Sequence, residues 1–202
     1  MSLVPPSARS GARGGLAPIA RWLHGLGVSA NAVTFAGLLT TVAGAALLAD
    51  ALPGVALVVL LLGTLADTLD GQVAKAAGGG TKLGAFLDST LDRLSDAALA
   101  GAAVVYGAYH NDEVLFWSAL IALVGGSLVP YIRAKAESLG LGASVGLAPR
   151  EARLALYVLG VAAWAVTANS SFFAAAVAVV ALLSIITVVQ RLAHVAGALR
   201  NT

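Results

Sequence analysis

Six apolar stretches, each close to the length of a membrane-spanning helix, follow one another along the chain. Short polar or glycine- and proline-containing breaks separate them. A helix that crosses the hydrocarbon core of a bilayer needs about 20 mostly apolar residues. Windows of that length predict six transmembrane helices, at residues 31–49, 53–75, 83–108, 114–135, 152–168 and 172–191. The pattern therefore predicts an all-α integral membrane protein.

A shorter amphipathic segment, "GLAPIARWLHGLG", precedes the first long apolar stretch. Its apolar residues recur at helical spacing on one face: Leu16, Ile19, Ala20, Leu23 and Leu26. Arg21 and His24 occupy the other face, which is typical of a helix that lies on a membrane surface. The predicted organisation is a disordered tail at 1–15, a juxtamembrane amphipathic helix at 16–28, a six-helix domain at 29–195 and a cytoplasmic tail at 196–202. The alternative for 16–28 is a frayed tail.

The composition agrees with a membrane protein. Of the 202 residues, 59% are hydrophobic and only 11% are charged, whereas a soluble domain carries about 25% charged residues. The absence of cysteine excludes disulfide bonds and thiolate metal sites. We expect membrane lipids around the chain and no nucleic acid among its partners.

The distribution of charge predicts the orientation. If the amino terminus is cytoplasmic, all twelve lysine and arginine residues fall on the cytoplasmic side. The outer loops then contain only acidic charges, at Asp50, Asp112 and Glu113. Because basic residues are retained on the cytoplasmic side of membrane proteins, the sequence predicts a multi-pass protein of the cell membrane with both termini in the cytoplasm.

Aspartates are concentrated where the second and third predicted spans reach the cytoplasmic side. Four residues of the second span share one helical face: Asp67, Asp70, Gly71 and Ala74. Three residues of the third span recur every four positions: Gly84, Asp88 and Asp92. Because the connection "KAAGGGTK" is short, we expect the two helices to be antiparallel neighbours whose four carboxylates converge.

Four negative charges at one depth in a membrane require neutralising cations. Carboxylate oxygens are the ligands that Mg²⁺ and Mn²⁺ prefer. Two such ions would clamp a phosphoryl group for displacement, and the small Gly71 and Ala74 leave room for a flat group beside the helix. We therefore predict a site for two Mg²⁺ (or Mn²⁺) ions, with Asp96, one turn further along, as a supporting or helix-pairing residue.

Two other interpretations stay open at this point. In one, the aspartates are only buried salt-bridge partners. In the other, the protein is a divalent cation carrier, which predicts carboxylates spread across the bilayer rather than clustered at one side as they are here.

The aspartates also fall in a longer pattern. Asp67-x-x-Asp70-Gly71-x-x-Ala74-Lys75, eight residues, then Gly84-x-x-x-Asp88-x-x-x-Asp92 resembles the signature of the CDP-alcohol phosphotransferases. Seven of its eight fixed positions agree, and the departure is Lys75, where the family usually has arginine. The resemblance implies six membrane helices after an interfacial helix, and an enzyme that transfers a phosphatidyl group from CDP-diacylglycerol to an alcohol, with CMP as the second product. It also implies a homodimer.

The resemblance assigns roles to individual residues. Asp67, Asp70 and Asp88 would hold two ions against the diphosphate of the donor, and Asp92 would complete the metal site and act as general base. Lysine at position 75 keeps the charge of arginine but loses its planar fork. The residues expected to bind the CDP-lipid are Asn31, Ala32, Val33, Thr34, Gly71, Ala74, Lys75, Thr81 and Gly84.

Basic residues at the ends of the fourth and fifth spans point to the acceptor. Arg133, Lys135, Arg150 and Arg153 would collect on the cytoplasmic side and bind a phosphate; the alternative is that they only anchor the helices to the inner membrane surface. The runs "PYIRAKAE" and "PREAR" resemble those of the actinobacterial phosphatidylinositol phosphate synthases, a branch of the family. The implied acceptor is inositol 3-phosphate, and the alternative is glycerol 3-phosphate, the acceptor of phosphatidylglycerophosphate synthases.

Overall fold

The computed structural model describes residues 6–200, with side chains from Gly15 onward. Seven α-helices, and no strand, make up this part of the chain: α1 (Pro6–Gly25), α2 (Ala30–Ala49), α3 (Pro53–Ala76), α4 (Lys82–Tyr109), α5 (Glu113–Ser138), α6 (Arg150–Thr167) and α7 (Ser171–Arg200). The all-α prediction is confirmed, and the six predicted spans correspond to α2–α7.

The ends of the chain differ from the prediction. Helix α1 begins at Pro6, so residues 6–15 of the expected disordered tail are helical, and residues 1–5 lie outside the described part. A proline fits the first turn of a helix, where its missing N–H is not needed. The helix ends at Gly25 rather than 28, because Gly27 has a positive φ of 80°. At the other end, α7 continues through the expected tail as far as Arg200, and residues 201–202 lie outside the described part.

Four of the helices within residues 6–200 are long and apolar enough to cross a membrane: α2, α3, α5 and α7. The protein is therefore membrane-embedded. Helices α4 and α6 carry charged residues in the segments that form the site described below: Asp88, Asp92, Arg93 and Asp96 in α4, and Arg150, Glu151 and Arg153 in α6. Large apolar side chains such as Leu39, Trp117 and Leu182 lie exposed on the outer surface, as expected of residues that face lipid.

Small residues bring α2 and α3 together. A Cβ atom added at Gly63 would lie 2.6 Å from Thr41 Oγ1, and one at Gly37 would lie 3.3 Å from Ala66 Cβ. Close approach through small residues is a common way for membrane helices to pack. It sets the amino-terminal end of α2 beside the aspartates of α3.

Helices α3 and α4 are not packed along each other, which corrects the expectation that they are neighbours. Helix α2 packs against both of them instead. The connection between α3 and α4 turns through Gly78 and Gly79, at φ angles of 93° and 127°, and Thr81 caps α4 by accepting a 2.9 Å hydrogen bond from the Gly84 N–H. The spacing of the aspartates in the sequence predicts which face of each helix carries them, but it does not predict the distance between α3 and α4. The gap between the two helices leaves room for ligands.

Helix α1 is held against the bundle by a small apolar cluster. Ala20 of α1 packs with Val33, Leu69 and Val73, all of them buried. Leu69 and Val73 lie on either side of Asp70 in the sequence. The contact therefore places the last turn of α1 next to the aspartates.

Candidate active site

Three carboxylates converge between α3 and α4. Asp67, Asp70 and Asp88 each offer an oxygen, and these oxygens all lie within 4.8 Å of one another. Asp70 is buried, at 7% exposure, whereas Asp88 is exposed. Three carboxylate oxygens at this spacing fit a hard divalent cation of the Mg²⁺ or Mn²⁺ class, so the residues present fit the predicted metal.

Asp70 is oriented by a neighbouring helix. The Thr34 hydroxyl of α2 donates a 2.8 Å hydrogen bond to Asp70 Oδ2. Thr34 was expected to contact the nucleotide, and it also supports a carboxylate of the three-aspartate cluster. Such supporting hydrogen bonds fix the orientation of a ligating group.

Asp92 lies beside the cluster rather than in it. The group of carboxylates within 4.8 Å comprises Asp67, Asp70 and Asp88 only, among the described residues. Asp92 Oδ1 lies 3.0 Å from Arg150 Nη1, and Asp92 Oδ2 lies 3.6 Å from Arg93 Nη1. The same Arg150 nitrogen lies 3.0 Å from Asp67 Oδ2. Asp92 is thus linked to the cluster through a shared guanidinium.

Asp96 connects α4 to α6. It accepts hydrogen bonds from Arg150 Nε at 3.2 Å and from Arg153 Nη2 at 3.0 Å. Arg153 is buried and also donates to the Ala148 carbonyl at 3.1 Å. Both the supporting and the helix-pairing roles considered for Asp96 therefore find contacts in the structure.

A cavity of about 600 Å³ opens on the side of the cluster next to α1. We call it the glycine-rich cavity, and it is lined by residues of α1, of the α1–α2 turn, and of α2, α3 and α4 with their connection: His24, Gly27, Val28, Ser29, Ala30, Asn31, Thr34, Asp70, Gly71, Ala74, Ala77, Gly79, Gly80, Thr81, Gly84, Ala85 and Asp88. Six of the nine residues predicted for the CDP-lipid are among them: Asn31, Thr34, Gly71, Ala74, Thr81 and Gly84.

Three predicted donor residues lie elsewhere. Ala32 is exposed outside this lining, and Val33 is buried in the cluster that holds α1. Lys75 lines a different cavity. Conversely, sequence reasoning assigned His24 to the polar face of an interfacial helix, whereas it lines the glycine-rich cavity. Its helical spacing gave no sign of this, because its place at the cavity depends on how α1 packs against the bundle.

A second cavity, of about 630 Å³, lies on the other side of the cluster. We call it the arginine-rich cavity; its lining combines acidic and basic side chains of several helices: Asp67, Thr68, Asp70, Gly71, Gln72, Lys75, Asp88, Asp92, Arg93, Val129, Pro130, Arg133, Pro149, Arg150, Glu151, Arg153 and Arg191. The two cavities share Asp70, Gly71 and Asp88. Two spaces therefore meet at the carboxylates.

Most of the predicted phosphate-binding residues reach the arginine-rich cavity. Arg133, Arg150 and Arg153 line it, and Lys135 does not; Lys135 is exposed in the last turn of α5. Arg133 also pairs with Glu137, at 2.8 Å. The spacing of Arg133 and Lys135, two positions apart, already puts them on different faces of a helix.

Sequence reasoning used Arg191 only as evidence for orientation, but it lines the arginine-rich cavity. It is buried, and its guanidinium donates to the Val145 carbonyl at 2.9 Å and to the Val129 carbonyl at 2.6 Å. The signal that could have found it is a single arginine in the otherwise apolar run "SIITVVQRLAHV". Arg191 ties α5 and the loop before α6 to α7.

The same loop is fastened at a second point. The Ala148 N–H donates to Thr187 Oγ1 at 3.2 Å, and Gly146, at a φ of 134°, has no room for a side chain because a Cβ would clash with Thr187 Cγ2. This loop leads directly into Arg150, so its position sets the position of both α6 arginines.

We expect Gly146→Ala to destabilise this loop by about 2 kcal/mol, since the alanine would be both strained and overlapping. For a chain of this length, that corresponds to a Tm lower by roughly 5 °C. Gly142→Ala is the matched control, because a Cβ there meets open space. Thermal unfolding of both variants in detergent tests the prediction, and equal Tm values would contradict it.

Comparison with known proteins agrees with this geometry. Residues 27–189 match the CDP-alcohol phosphatidyltransferase family. The chain is 35% identical over 203 aligned positions to the phosphatidylinositol phosphate synthase of Mycobacterium bovis, and the alignment covers 95% of this chain and 90% of that one.

Solved structures are similar as well. The phosphatidylinositol phosphate synthase of Mycobacterium tuberculosis in complex with manganese and citrate superimposes with a TM-score of 0.84 at 35% identity, covering 89% of this chain and 88% of that one. The same enzyme with CDP-DAG bound gives a TM-score of 0.83 at 34% identity, covering 89% of this chain and 92% of that one.

Three findings lead to the same conclusion. They are the three-carboxylate cluster between two cavities, the family match over residues 27–189 and the similarity to a relative along almost its full length. The chain belongs to the CDP-alcohol phosphatidyltransferase family, and it is a membrane-embedded, metal-binding enzyme of phospholipid biosynthesis.

Proposed function

We propose that the enzyme transfers the phosphatidyl group of CDP-diacylglycerol to inositol 3-phosphate and releases CMP, with two divalent ions, Mg²⁺ or Mn²⁺, in the site. The observation that carries the proposal is the meeting of the glycine-rich and arginine-rich cavities at Asp70 and Asp88. A reaction between two bound substrates needs two binding spaces that join at the reacting atoms. The relative from Mycobacterium tuberculosis, which binds CDP-DAG and manganese, supports the same assignment.

The glycine-rich cavity suits the nucleotide end of the donor. Its volume of about 600 Å³ is within the range of small-molecule sites, roughly 300–1,000 Å³. Gly71, Ala74 and Gly84 present little side chain to it, so a flat ring can approach the helix backbones. The donor's diphosphate then reaches the carboxylates at the inner end of the cavity.

The carboxylates would bind the metal ions that neutralise the negative charges of the two substrates. Asp67, Asp70 and Asp88 would hold the ions, which when bound screen the diphosphate from an anionic acceptor and stabilise the departing CMP. Thr34 keeps Asp70 in place through its 2.8 Å hydrogen bond. The role of these residues is to bring two negatively charged substrates together in one membrane-side site.

Asp92 is the proposed general base, and it would also complete the metal site. It lines the arginine-rich cavity, one helical turn from Asp88. As the acceptor hydroxyl oxygen bonds to the phosphorus of the phosphatidyl group, its proton passes to the Asp92 carboxylate. The bond between that phosphorus and the oxygen bridging to CMP breaks, and the electron pair leaves with CMP.

The arginine-rich cavity favours an acceptor that already carries a phosphate. Six basic side chains line it, against five acidic ones: Lys75, Arg93, Arg133, Arg150, Arg153 and Arg191, and Asp67, Asp70, Asp88, Asp92 and Glu151. Each divalent ion adds two positive charges, so the loaded cavity has an excess of positive charge. Arg133, Arg150 and Arg153 are the proposed phosphate contacts, joined by Arg191, whereas Lys135 lies outside the lining.

The decisive experiment offers acceptors separately to the purified protein. CDP-diacylglycerol labelled in its phosphatidyl group is incubated with Mn²⁺ and inositol 3-phosphate, glycerol 3-phosphate, inositol or serine. We expect product and CMP with inositol 3-phosphate. Preferred use of glycerol 3-phosphate would support the phosphate site but show that the acceptor polyol is glycerol rather than inositol. Preferred use of inositol or serine would overturn the assignment of a phosphate site.

We also propose a six-span arrangement in the cell membrane with α4 and α6 as additional spans, the site on the cytoplasmic side and α1 on the inner surface. The exposed apolar residues Ile19, Trp22 and Leu26 of α1 and its following turn support an interfacial position. The concentration of basic residues on one side supports the orientation. The homodimer implied by the family resemblance stays a prediction.

Lys75 provides a test of the two-cavity assignment. Because it lines the arginine-rich cavity, we expect Lys75→Ala to raise the KM for inositol 3-phosphate roughly tenfold, as the loss of one charged hydrogen bond implies, and to leave the KM for CDP-diacylglycerol within about twofold. Lys82→Ala is the control, since Lys82 is exposed and lines neither cavity. A selective rise in the donor KM would return Lys75 to the nucleotide site.

A further inference from the structure

Arg150 contacts three of the acidic residues at the site. Its Nη1 lies 3.0 Å from Asp67 Oδ2 and 3.0 Å from Asp92 Oδ1, and its Nε lies 3.2 Å from Asp96 Oδ1. A guanidinium does not lose its proton in a protein. One permanent positive charge from α6 therefore contacts aspartates of both α3 and α4.

One of these contacts falls on a carboxylate of the three-aspartate cluster. Asp67 belongs to the cluster that fits a divalent ion, and it also accepts a hydrogen bond from Arg150. Guanidinium and metal ion would draw on the same carboxylate charge, and two cations a few ångströms apart repel each other. Binding of a divalent ion at Asp67 is therefore opposed by Arg150.

Asp96 keeps Arg150 at the site independently of Asp67. It lies outside the three-carboxylate cluster, and it holds Arg150 Nε on one oxygen and Arg153 Nη2 on the other, at 3.2 and 3.0 Å. Arg153 is itself fixed by the Ala148 carbonyl. A guanidinium that leaves Asp67 thus stays anchored to Asp96 at the wall of the arginine-rich cavity.

We propose that Arg150 is an exchangeable counter-ion of the metal site: a divalent ion displaces it from Asp67, and the displaced guanidinium, positioned by Asp96, binds the phosphate of the acceptor. The inference deepens the proposed function and rests on it for the metal and the acceptor. It makes acceptor binding depend on metal loading. Because linked binding equilibria are reciprocal, an anion that binds Arg150 also strengthens metal binding.

The first test measures Mn²⁺ binding by the purified full-length protein in detergent, without substrates, from the electron paramagnetic resonance signal of free Mn²⁺. We expect Arg150→Gln to bind Mn²⁺ roughly tenfold more tightly than the unaltered protein, a coupling of ordinary size. Arg150→Lys should show a smaller gain, since one ammonium group keeps the charge but cannot contact three carboxylates in the same way.

Arg133→Gln is the matched control. Arg133 lines the same cavity but pairs with Glu137, so its removal tests the effect of lost positive charge without a lost contact to the aspartates. We expect its Mn²⁺ Kd to change by less than about threefold, because an exposed charge is strongly screened. An equal increase of Mn²⁺ affinity in Arg133→Gln and Arg150→Gln would overturn the proposal that the contact between Arg150 and Asp67 opposes metal binding.

The second test uses inorganic phosphate as the probe, titrated by calorimetry with and without Mn²⁺. In the unaltered protein, Mn²⁺ should lower the Kd for phosphate. In Arg150→Gln, the factor by which Mn²⁺ lowers this Kd should be about a third or less of the factor in the unaltered protein. Part of the effect persists in the variant because the ion itself attracts phosphate. An unchanged Mn²⁺ effect would overturn the phosphate half of the proposal.

Failure of this inference is distinguishable from failure of the proposed function. If the unaltered protein binds Mn²⁺ and Asp70→Asn does not, the metal site stands; unchanged or weaker Mn²⁺ binding by Arg150→Gln then overturns the exchange alone. If Asp70→Asn binds Mn²⁺ as well as the unaltered protein, the proposed metal site itself is wrong. If Arg150→Gln does not fold, the Mn²⁺ affinity of Arg150→Lys tests the exchange: tighter binding than in the unaltered protein supports it, and unchanged or weaker binding overturns it.

Discussion

Asp92→Asn should lower the rate of turnover by about a thousandfold, within the range that general-base catalysis contributes, while the protein still binds CDP-diacylglycerol. The asparagine keeps the size of the side chain but cannot accept the proton of the acceptor hydroxyl. Asp92 lies outside the three carboxylates that are within 4.8 Å of one another. Because Asp92 would also complete the metal site, we expect Mn²⁺ affinity to fall as well, but by less than the thousandfold loss of rate.

The measurement compares CMP release under saturating substrates with Mn²⁺ and donor binding by the same preparation. Arg93→Gln is a useful companion, because Arg93 Nη1 lies 3.6 Å from Asp92 Oδ2 and is an exposed partner. Its loss should change the rate only severalfold, as expected of a weak surface ion pair. Parallel loss of rate and donor binding in Asp92→Asn would remove Asp92 from the role of base.

Asp70→Asn should abolish both metal binding and activity. Asp70 is the buried member of the cluster and lies in the lining of both cavities. Loss of an outer partner of a metal ligand already costs 10–100-fold in affinity, so the loss of a ligand itself should cost at least about 100-fold. The fold should persist, because the amide oxygen can still accept the hydrogen bond that Thr34 donates to Asp70 Oδ2.

Metal binding is followed with Mn²⁺ in detergent, and activity by CMP release. Asp50→Asn is the control, since Asp50 lies at the opposite end of α2, where it follows the last helical residue. We expect that variant to behave as the unaltered protein. Retention of Mn²⁺ binding by Asp70→Asn would show that the ion is held elsewhere.

The sequence predicted the helices and the face of each helix that carries the acidic residues. Spacing of three and four residues is enough to place Asp67 with Asp70, and Asp88 with Asp92, on common faces. Hydropathy is enough to locate α2–α7 within a few residues, except where α7 continues to Arg200. These are local properties, and local properties can be read from a sequence.

The parts that sequence reasoning missed depend on contacts between distant positions. Arg150 meets Asp67 across 83 positions of the chain, and the same guanidinium nitrogen links Asp92 to the three-carboxylate cluster. Arg191 reaches the Val129 carbonyl across 62 positions. Helical spacing gives the direction of a side chain about its own axis, but it gives neither the distance nor the rotation of the next helix.

Helices α4 and α6 differ from the other helices of the bundle in their charge content. Helices α4 and α6 do not meet the apolar criterion that α2, α3, α5 and α7 meet, because their charged turns face the cavities. A helix that contributes Asp88, Asp92 and Asp96, or Arg150 and Arg153, to a buried polar site must have fewer apolar residues. Low hydropathy thus coincides with two of the helices that carry the charged residues of the site, whereas α3, with Asp67 and Asp70, is apolar enough to cross a membrane.

Gly71 is the one uncharged residue in the set that the two cavities share. A methyl group there would meet nothing within 4 Å, so bulk at this position would leave the helices undisturbed and project into the passage between the two chambers. The missing side chain thus leaves open the space where the two cavities meet. A larger residue at position 71 would therefore narrow the connection between the two cavities without a clash inside the fold.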